Sequence, residues 1–166
     1  MASLEYLAGF FDGEGCITLC NGGRKYNLKC ICANTVKESV ELFQERFGGR
    51  IHPQRRPAGK AHYKMCWKWV ADSRIGESFL KEILPYLRIK RKVAELALEF
   101  MRLPLKPKGR LKNGDSRLLV KEEIQKQREH IVSRLRVLNF RGIPRVITGS
   151  NPIAEILPLV VAAKEN

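Results

Sequence analysis

The sequence predicts an α+β fold, in which a core of order αββαββα contains a four-stranded antiparallel sheet and additional C-terminal helices follow. Segments with apolar residues at helical spacing alternate with pairs of segments in which apolar and polar residues alternate. Turns that contain glycine or proline join the members of each pair, as they do in β-hairpins. We therefore expect residues 1–104 to form the core and residues 105–166 to form a helical extension of the same domain.

The first helix is predicted from residues 4–15, LEYLAGFFDGEG. Apolar residues recur at helical spacing at Leu4, Leu7, Ala8 and Phe11. Gly9 and Gly13 stand four residues apart on a neighbouring bare face, where a second helix could approach closely. The acids Asp12 and Glu14 flank Gly13, where the helix must end before a strand begins. The pattern thus places a carboxylate at a helix-to-strand junction.

The other elements follow from the same two periodicities and from the residues that end them. Gly48 and Gly49 end the second helix, and Asp72 with Ser73 predicts the N-cap of the third. We expect strands at residues 16–20, 24–33, 50–56 and 61–71, and helices at residues 36–47, 73–84, 93–103 and 120–139. The last helix is expected to expose Arg128 on its polar face.

The charge of the chain favours a polyanionic partner. Thirty-one Lys and Arg against 17 Asp and Glu give a net charge of +14. Adaptation to heat would bring acids in comparable number, and they are too few here. The sequence contains neither a signal peptide nor an apolar run of membrane-spanning length, so we expect a soluble, intracellular protein without a membrane partner. The five cysteines, an odd number, are interpreted as strand residues.

Basic and amide side chains are predicted on one exposed face of the sheet. In residues 61–71, Trp67 and Trp69 alternate with lysines, so an aromatic face would back a basic one. An ordinary amphipathic strand shows the same pattern, but arginine and glutamine in residues 50–56 favour base recognition, because these side chains make bidentate contacts with guanine and adenine. The candidate DNA-contacting residues are Thr18, Arg24, Lys25, Asn27, Lys29, His52, Gln54, Arg56, Lys64 and Lys68, with Lys108 and Arg110 in a basic loop as candidates for phosphate contacts.

A cluster of basic residues precedes the helix at residues 93–103. Residues 88–92 read RIKRK, and positive charges at a helix start oppose the helix dipole. We expect a nearby anion to compensate them, although a solvated basic turn has the same composition.

The stretch Leu7-Ala8-Gly9-Phe10-Phe11-Asp12-Gly13-Glu14-Gly15 resembles the signature helix of the LAGLIDADG homing endonucleases. It matches that motif position by position apart from the tolerated hydrophobic residues. Aspartate is common at the position of Glu14 in single-motif members, and glutamate is also found there. The resemblance covers about the first hundred residues, through the LRIK stretch at residues 87–90.

The resemblance implies a homodimer that hydrolyses both strands of a long pseudo-palindromic DNA site with Mg²⁺ or Mn²⁺, since the motif occurs once in the chain. By the same resemblance, Glu14 binds the metal, the backbone carbonyl of Gly13 assists, and Lys90 lies next to the scissile phosphate. Asn34, or Thr35 as the alternative, would position water. The dimer contact would involve Leu7, Ala8, Gly9, Phe11 and Asp12.

Two other functions are compatible with the sequence. Some proteins of the family act as RNA maturases that help a host intron to splice, and a basic sheet would serve that role as well. A DNA-binding regulator that has kept the fold without the chemistry is the other alternative. Both alternatives would tolerate the loss of Glu14, which a nuclease would not.

Overall fold

A computed structural model describes residues 2–21, 26–54, 64–104 and 122–139. The helices are α1 (Leu4–Glu14), α2 (Lys37–Phe47), α3 (Ser73–Ile83), α4 (Arg91–Arg102) and α5 (Glu122–Asn139), and the strands are β1 (Gly15–Asn21), β2 (Tyr26–Asn34), β3 (Arg50–Gln54) and β4 (Cys66–Asp72). A short 3₁₀ turn, Leu84–Tyr86, follows α3. The predicted order of elements is confirmed. No helix among the described residues is long and apolar enough to cross a membrane.

The four strands form one antiparallel sheet in the order β1-β2-β4-β3. The two hairpins therefore join through their second strands, with Cys30 of β2 opposite Ala71 of β4. Partner residues in an antiparallel pair point to the same side of the sheet. Alternation along each strand thus separates an inner face, which is buried under the helices, from an outer face.

An aromatic cluster holds the helices on the inner face. Phe11 of α1, Phe43 of α2, Phe79 of α3 and Trp69 of β4 are fully buried. Their rings make close tilted or edge contacts, with centroids 4.8 Å apart for Phe11 and Phe79 and 5.1 Å apart for Phe43 and Trp69. The packing of Phe11 in this cluster therefore fixes the position of α1 on the inner face of the sheet.

The described residues fall into two compact units, one within residues 1–101 and the other within residues 102–166. In the second unit, Arg128 of α5 is buried, which corrects the expectation that it is exposed. Nη1 of its guanidinium donates to the carbonyl oxygens of Leu103 and Pro104 at 3.4 Å each, and these bonds offset part of the cost of burying the charged group. Burial lowers the pKa of Arg128 below its ordinary value.

The turn between α2 and β3 provides a stability test. Gly48 and Gly49 both have positive φ, at 73° and 92°. A Cβ at Gly49 would lie 2.8 Å from the Val70 carbonyl oxygen, whereas a Cβ at Gly48 would meet nothing within 4 Å. We expect Gly49→Ala to lower the free energy of unfolding by about 1–3 kcal/mol more than Gly48→Ala, since both incur backbone strain and only Gly49→Ala adds a clash. Urea denaturation measures the difference, and equal losses would contradict the close approach.

Candidate catalytic centre and nucleic-acid interface

Glu14 is the last residue of α1, and its side chain is exposed. The helix begins with Ser3, whose Oγ accepts a hydrogen bond from the Tyr6 N–H at 3.2 Å. At the other end, Gly15 donates its N–H to the carbonyl oxygen of Phe11. A Cβ at Gly15 would lie 2.4 Å from that oxygen and from the Phe11 ring, so only glycine fits this junction. The Glu14 carboxylate is consequently held where α1 turns directly into β1.

Asp12 binds the turn that precedes α4. Its Oδ2 accepts hydrogen bonds from the N–H groups of Arg88 at 2.7 Å and Ile89 at 3.1 Å, and its Oδ1 accepts one from the Lys90 N–H at 2.9 Å. Only 7% of Asp12 is exposed. Asp12 is therefore the anion expected beside the basic turn, and its carboxylate fixes the turn's backbone.

Lys90 is buried against the end of α1. Its Nζ donates to the backbone oxygen of Asp12, and 7% of the residue is exposed. The charges of Glu14 and Lys90 both act on the buried thiol of Cys32 in β2. Burial first, and then Glu14, raise the pKa of Cys32 to about 12, while Lys90 acts in the opposite direction. The bond from Nζ of Lys90 to the Asp12 backbone oxygen thus places the ammonium at the end of α1, where Glu14 follows two residues later.

Asn34 ends β2 and closes a turn. Its Oδ1 accepts a hydrogen bond from the Val36 N–H at 2.9 Å, just before α2 begins. Its pairing with Trp67 gives it the strand parity of Cys32, on the inner side of the sheet. The structure thus gives Asn34 a role in the backbone turn, and Thr35 beside it is exposed. The role of either residue in positioning water stays a prediction.

The expected helix contact requires a correction. Leu7, Ala8 and Phe11 have no exposed surface, because their side chains pack in the chain's own core beneath α1. These three residues therefore have no surface that a second copy could contact. The exposed stripe on α1 is formed by Tyr6, Gly9 and Gly13, which follow one another at helical spacing. A Cβ at either glycine would meet nothing within 4 Å. The bare face predicted from the glycines is present.

The outer face of the sheet presents most of the predicted DNA-contacting residues that the structure describes. The strand register gives cross-strand rows of Thr18, Lys29 and Asp72, of Cys16, Ile31, Val70 and Arg50, and of Ala33, Lys68 and His52. Asn27 and Gln54 share this face at its ends, and Lys64 is exposed just before β4. Arg24, Lys25, Arg56, Lys108 and Arg110 lie outside the described residues.

Two charged residues of the outer face, Arg50 and Asp72, were not on the list of candidate DNA-contacting residues. Arg50 shares the parity of His52 and Gln54, so strand alternation could have identified it. Asp72 occupies the N-cap position of α3, as expected, but its side chain makes no capping hydrogen bond. It forms ion pairs with Arg50 and Lys29 instead. No pattern along the chain signals this choice of partner.

The Glu14 carboxylate and the Gly13 carbonyl could supply some, but not all, of the ligands of a divalent cation. Carboxylate and carbonyl oxygens are the ligands that Mg²⁺ prefers. Gly13 lies in the last turn of α1, where the helix itself supplies no donor for the carbonyl. Within the described ranges, no group of three or more His, Cys, Asp or Glu side chains could hold a metal ion. A complete coordination sphere at Glu14 would therefore need oxygens in addition to those of the described residues.

No protein-family model and no curated protein matches the sequence. Solved structures do match. The homing endonuclease I-CvuI, in complex with its target in the presence of Ca, superposes with a TM-score of 0.61 at 20% identity, over 95% of this chain and 94% of that chain. An archaeal intron-encoded homing endonuclease complexed with DNA gives a TM-score of 0.62 at 16% identity, over 98% and 97%. The LAGLIDADG homing endonuclease I-GzeII, in complex with a DNA target, gives 0.57 at 13% identity, over 98% of this chain and 58% of that one. The chain therefore has the fold of LAGLIDADG homing endonucleases.

Proposed function

We propose that two copies of this chain form a site-specific homing endonuclease, which hydrolyses both strands of a long, near-palindromic DNA site with Mg²⁺ or Mn²⁺. The observation that supports this most strongly is the position of Glu14. It is an exposed carboxylate at the end of the glycine-bearing helix, two residues after the backbone oxygen that accepts a hydrogen bond from Lys90. The helix belongs to the same compact unit as the basic outer face of the sheet. The similar solved structures described above are homing endonucleases in complex with DNA.

The residues at the end of α1 have distinct tasks in this proposal. Glu14 and the carbonyl of Gly13 would hold the metal together with phosphate oxygens and the second copy of Glu14. A divalent ion bound there activates water and screens the charge of the phosphate. The Lys90 ammonium would offset negative charge that develops on the scissile phosphate, and Asp12 keeps the Lys90 backbone in place.

The stripe of Tyr6, Gly9 and Gly13 is proposed as the contact between the two copies. We expect Gly9→Leu to convert the dimer into a folded monomer, because the larger side chain has room within the chain but keeps the second helix away. Sedimentation velocity and circular dichroism check this result. The matched control is Ser78→Leu, at an exposed position of α3, which should leave the dimer intact. A Gly9→Leu protein that still dimerises would refute the contact.

The outer face of the sheet is proposed as the surface that enters the major groove, and the exposed cysteine on this face, Cys16, provides a probe. Cys16 is exposed on this face, whereas Cys30 and Cys32 are buried and burial raises the pKa of both thiols. We expect iodoacetamide to alkylate Cys16 in the free protein, much more slowly in the DNA complex, and Cys30 and Cys32 only after unfolding. Peptide mass spectrometry measures each rate. A Cys16 rate that saturating DNA leaves unchanged would place the DNA elsewhere.

The test of the proposal as a whole starts with binding. Selection from a randomised duplex library in Ca²⁺ should enrich one long, near-palindromic sequence, and sedimentation should find two chains on each duplex. A selection that enriches no sequence would refute a site-specific nuclease. No feature of the described residues favours the maturase or the regulator. A protein that binds intron RNA in preference to duplex DNA would support the maturase.

A further inference from the structure

The β4 to α3 junction departs from ordinary helix-start geometry. Asp72 stands at the N-cap of α3, where aspartate normally accepts a hydrogen bond from the first turn, and its side chain makes none. The next residue, Ser73, has a φ of 44°, in the left-handed region that non-glycine residues rarely adopt. The chain thus forgoes a helix cap and accepts a strained residue at the same point. Strain of this kind is often retained at functional positions.

The consequence is an acid on the basic outer face. The Asp72 Oδ2 accepts a hydrogen bond from Nη2 of Arg50, and its Oδ1 lies 3.9 Å from Nζ of Lys29. About 30% of the Asp72 side chain is exposed, against 68% for Arg50. On a surface that served only to attract phosphate, an acid here would weaken binding. Its placement is useful if it fixes the orientation of its neighbours.

We infer that Asp72 is a specificity-determining residue of the proposed nuclease, because it holds Arg50 in one orientation in which the guanidinium can read a guanine in the major groove. This inference rests on the proposed function. A guanidinium has five N–H donors in a planar fork, so a bond to Asp72 leaves donors for the O6 and N7 atoms of guanine. Without Asp72, the exposed arginine side chain would sample many rotamers and would bind phosphate as readily as a base.

The test compares base preferences. Wild type, Asp72→Asn and Arg50→Lys are each used to select binding sequences from the randomised duplex library in Ca²⁺. The affinity of each protein for every single-base variant of the enriched site is then measured. Wild type should prefer guanine by about tenfold or more at one position of each half-site. Asp72→Asn and Arg50→Lys should both lose that preference at the same position and keep the others. The double variant should lose no more than either single one.

Glu77→Gln is the matched control. Glu77 accepts a hydrogen bond from Lys81 at 2.6 Å on α3, so this substitution also removes one negative charge from an ion pair but lies off the outer face. Asp72→Asn and Glu77→Gln should both strengthen overall binding, and only Asp72→Asn should reduce discrimination. If Asp72→Asn keeps every base preference while wild type selects a site, the inference is wrong and the proposed function stands. A wild type that selects no sequence would refute both.

Discussion

Replacing Glu14 with glutamine is expected to abolish DNA cleavage and to leave DNA binding intact. The amide keeps the size of the side chain but removes the charge that would hold a divalent ion. Since the metal stabilises the charge of the transition state by several kcal/mol, the cleavage rate should fall by about three orders of magnitude or more. Single-turnover cleavage of the selected duplex in Mg²⁺ measures the rate, and filter binding in Ca²⁺ measures the affinity.

The control for this substitution is Glu5→Gln. Glu5 is an exposed acid in the first turn of the same helix, so the two variants have the same net charge. Glu5→Gln should cleave at nearly the wild-type rate. If Glu14→Gln cleaves as fast as Glu5→Gln, the metal is not held by Glu14, and the chemistry assigned to the end of α1 is wrong.

Asp12→Asn is expected to destabilise the chain by about 3 kcal/mol. Both carboxylate oxygens of Asp12 accept hydrogen bonds from backbone N–H groups, so an asparagine must turn its own NH₂ donor towards at least one of them. A buried donor then faces a donor, and the turn at residues 88–90 loses its anchor. Urea denaturation measures the free energy of unfolding.

The same substitution should also slow cleavage, because Lys90 depends on this turn for its position. Glu99→Gln, at an exposed position of α4, is the control and should change the free energy of unfolding by less than about 0.5 kcal/mol. An Asp12→Asn protein as stable as Glu99→Gln would show that the three backbone hydrogen bonds contribute nothing measurable.

Alternation along the strands predicted the outer face because the side-chain period of a strand is two and the inner face is buried. Thr18, Lys29, His52 and Lys68 fall where the pattern placed them. The junction at Glu14 was equally predictable, since glycines and acids mark it within a few residues. Local periodicity was enough to predict the position of a residue wherever its environment depends on its own helix or strand.

Interactions between distant parts of the chain were not predictable in this way. Asp12 binds a turn 76 residues away, and the sequence indicated only that some anion should be there. Leu7 was expected in a contact between copies, but the apolar face of α1 is buried in the core of its own chain. Asp72 could equally have capped α3 or paired with Arg50, and only the sheet register brings the arginine within reach.

The most direct test of the central claim is cleavage of a randomised duplex library by the purified protein in Mg²⁺, with sequencing of the ends that it produces. A homodimeric nuclease that holds its metal at Glu14 should make double-strand breaks within one long, near-palindromic sequence, and it should make none when Ca²⁺ replaces Mg²⁺ or when Glu14 is replaced by glutamine. A wild-type protein that binds the selected site tightly and never cuts it would show that the protein is not a nuclease.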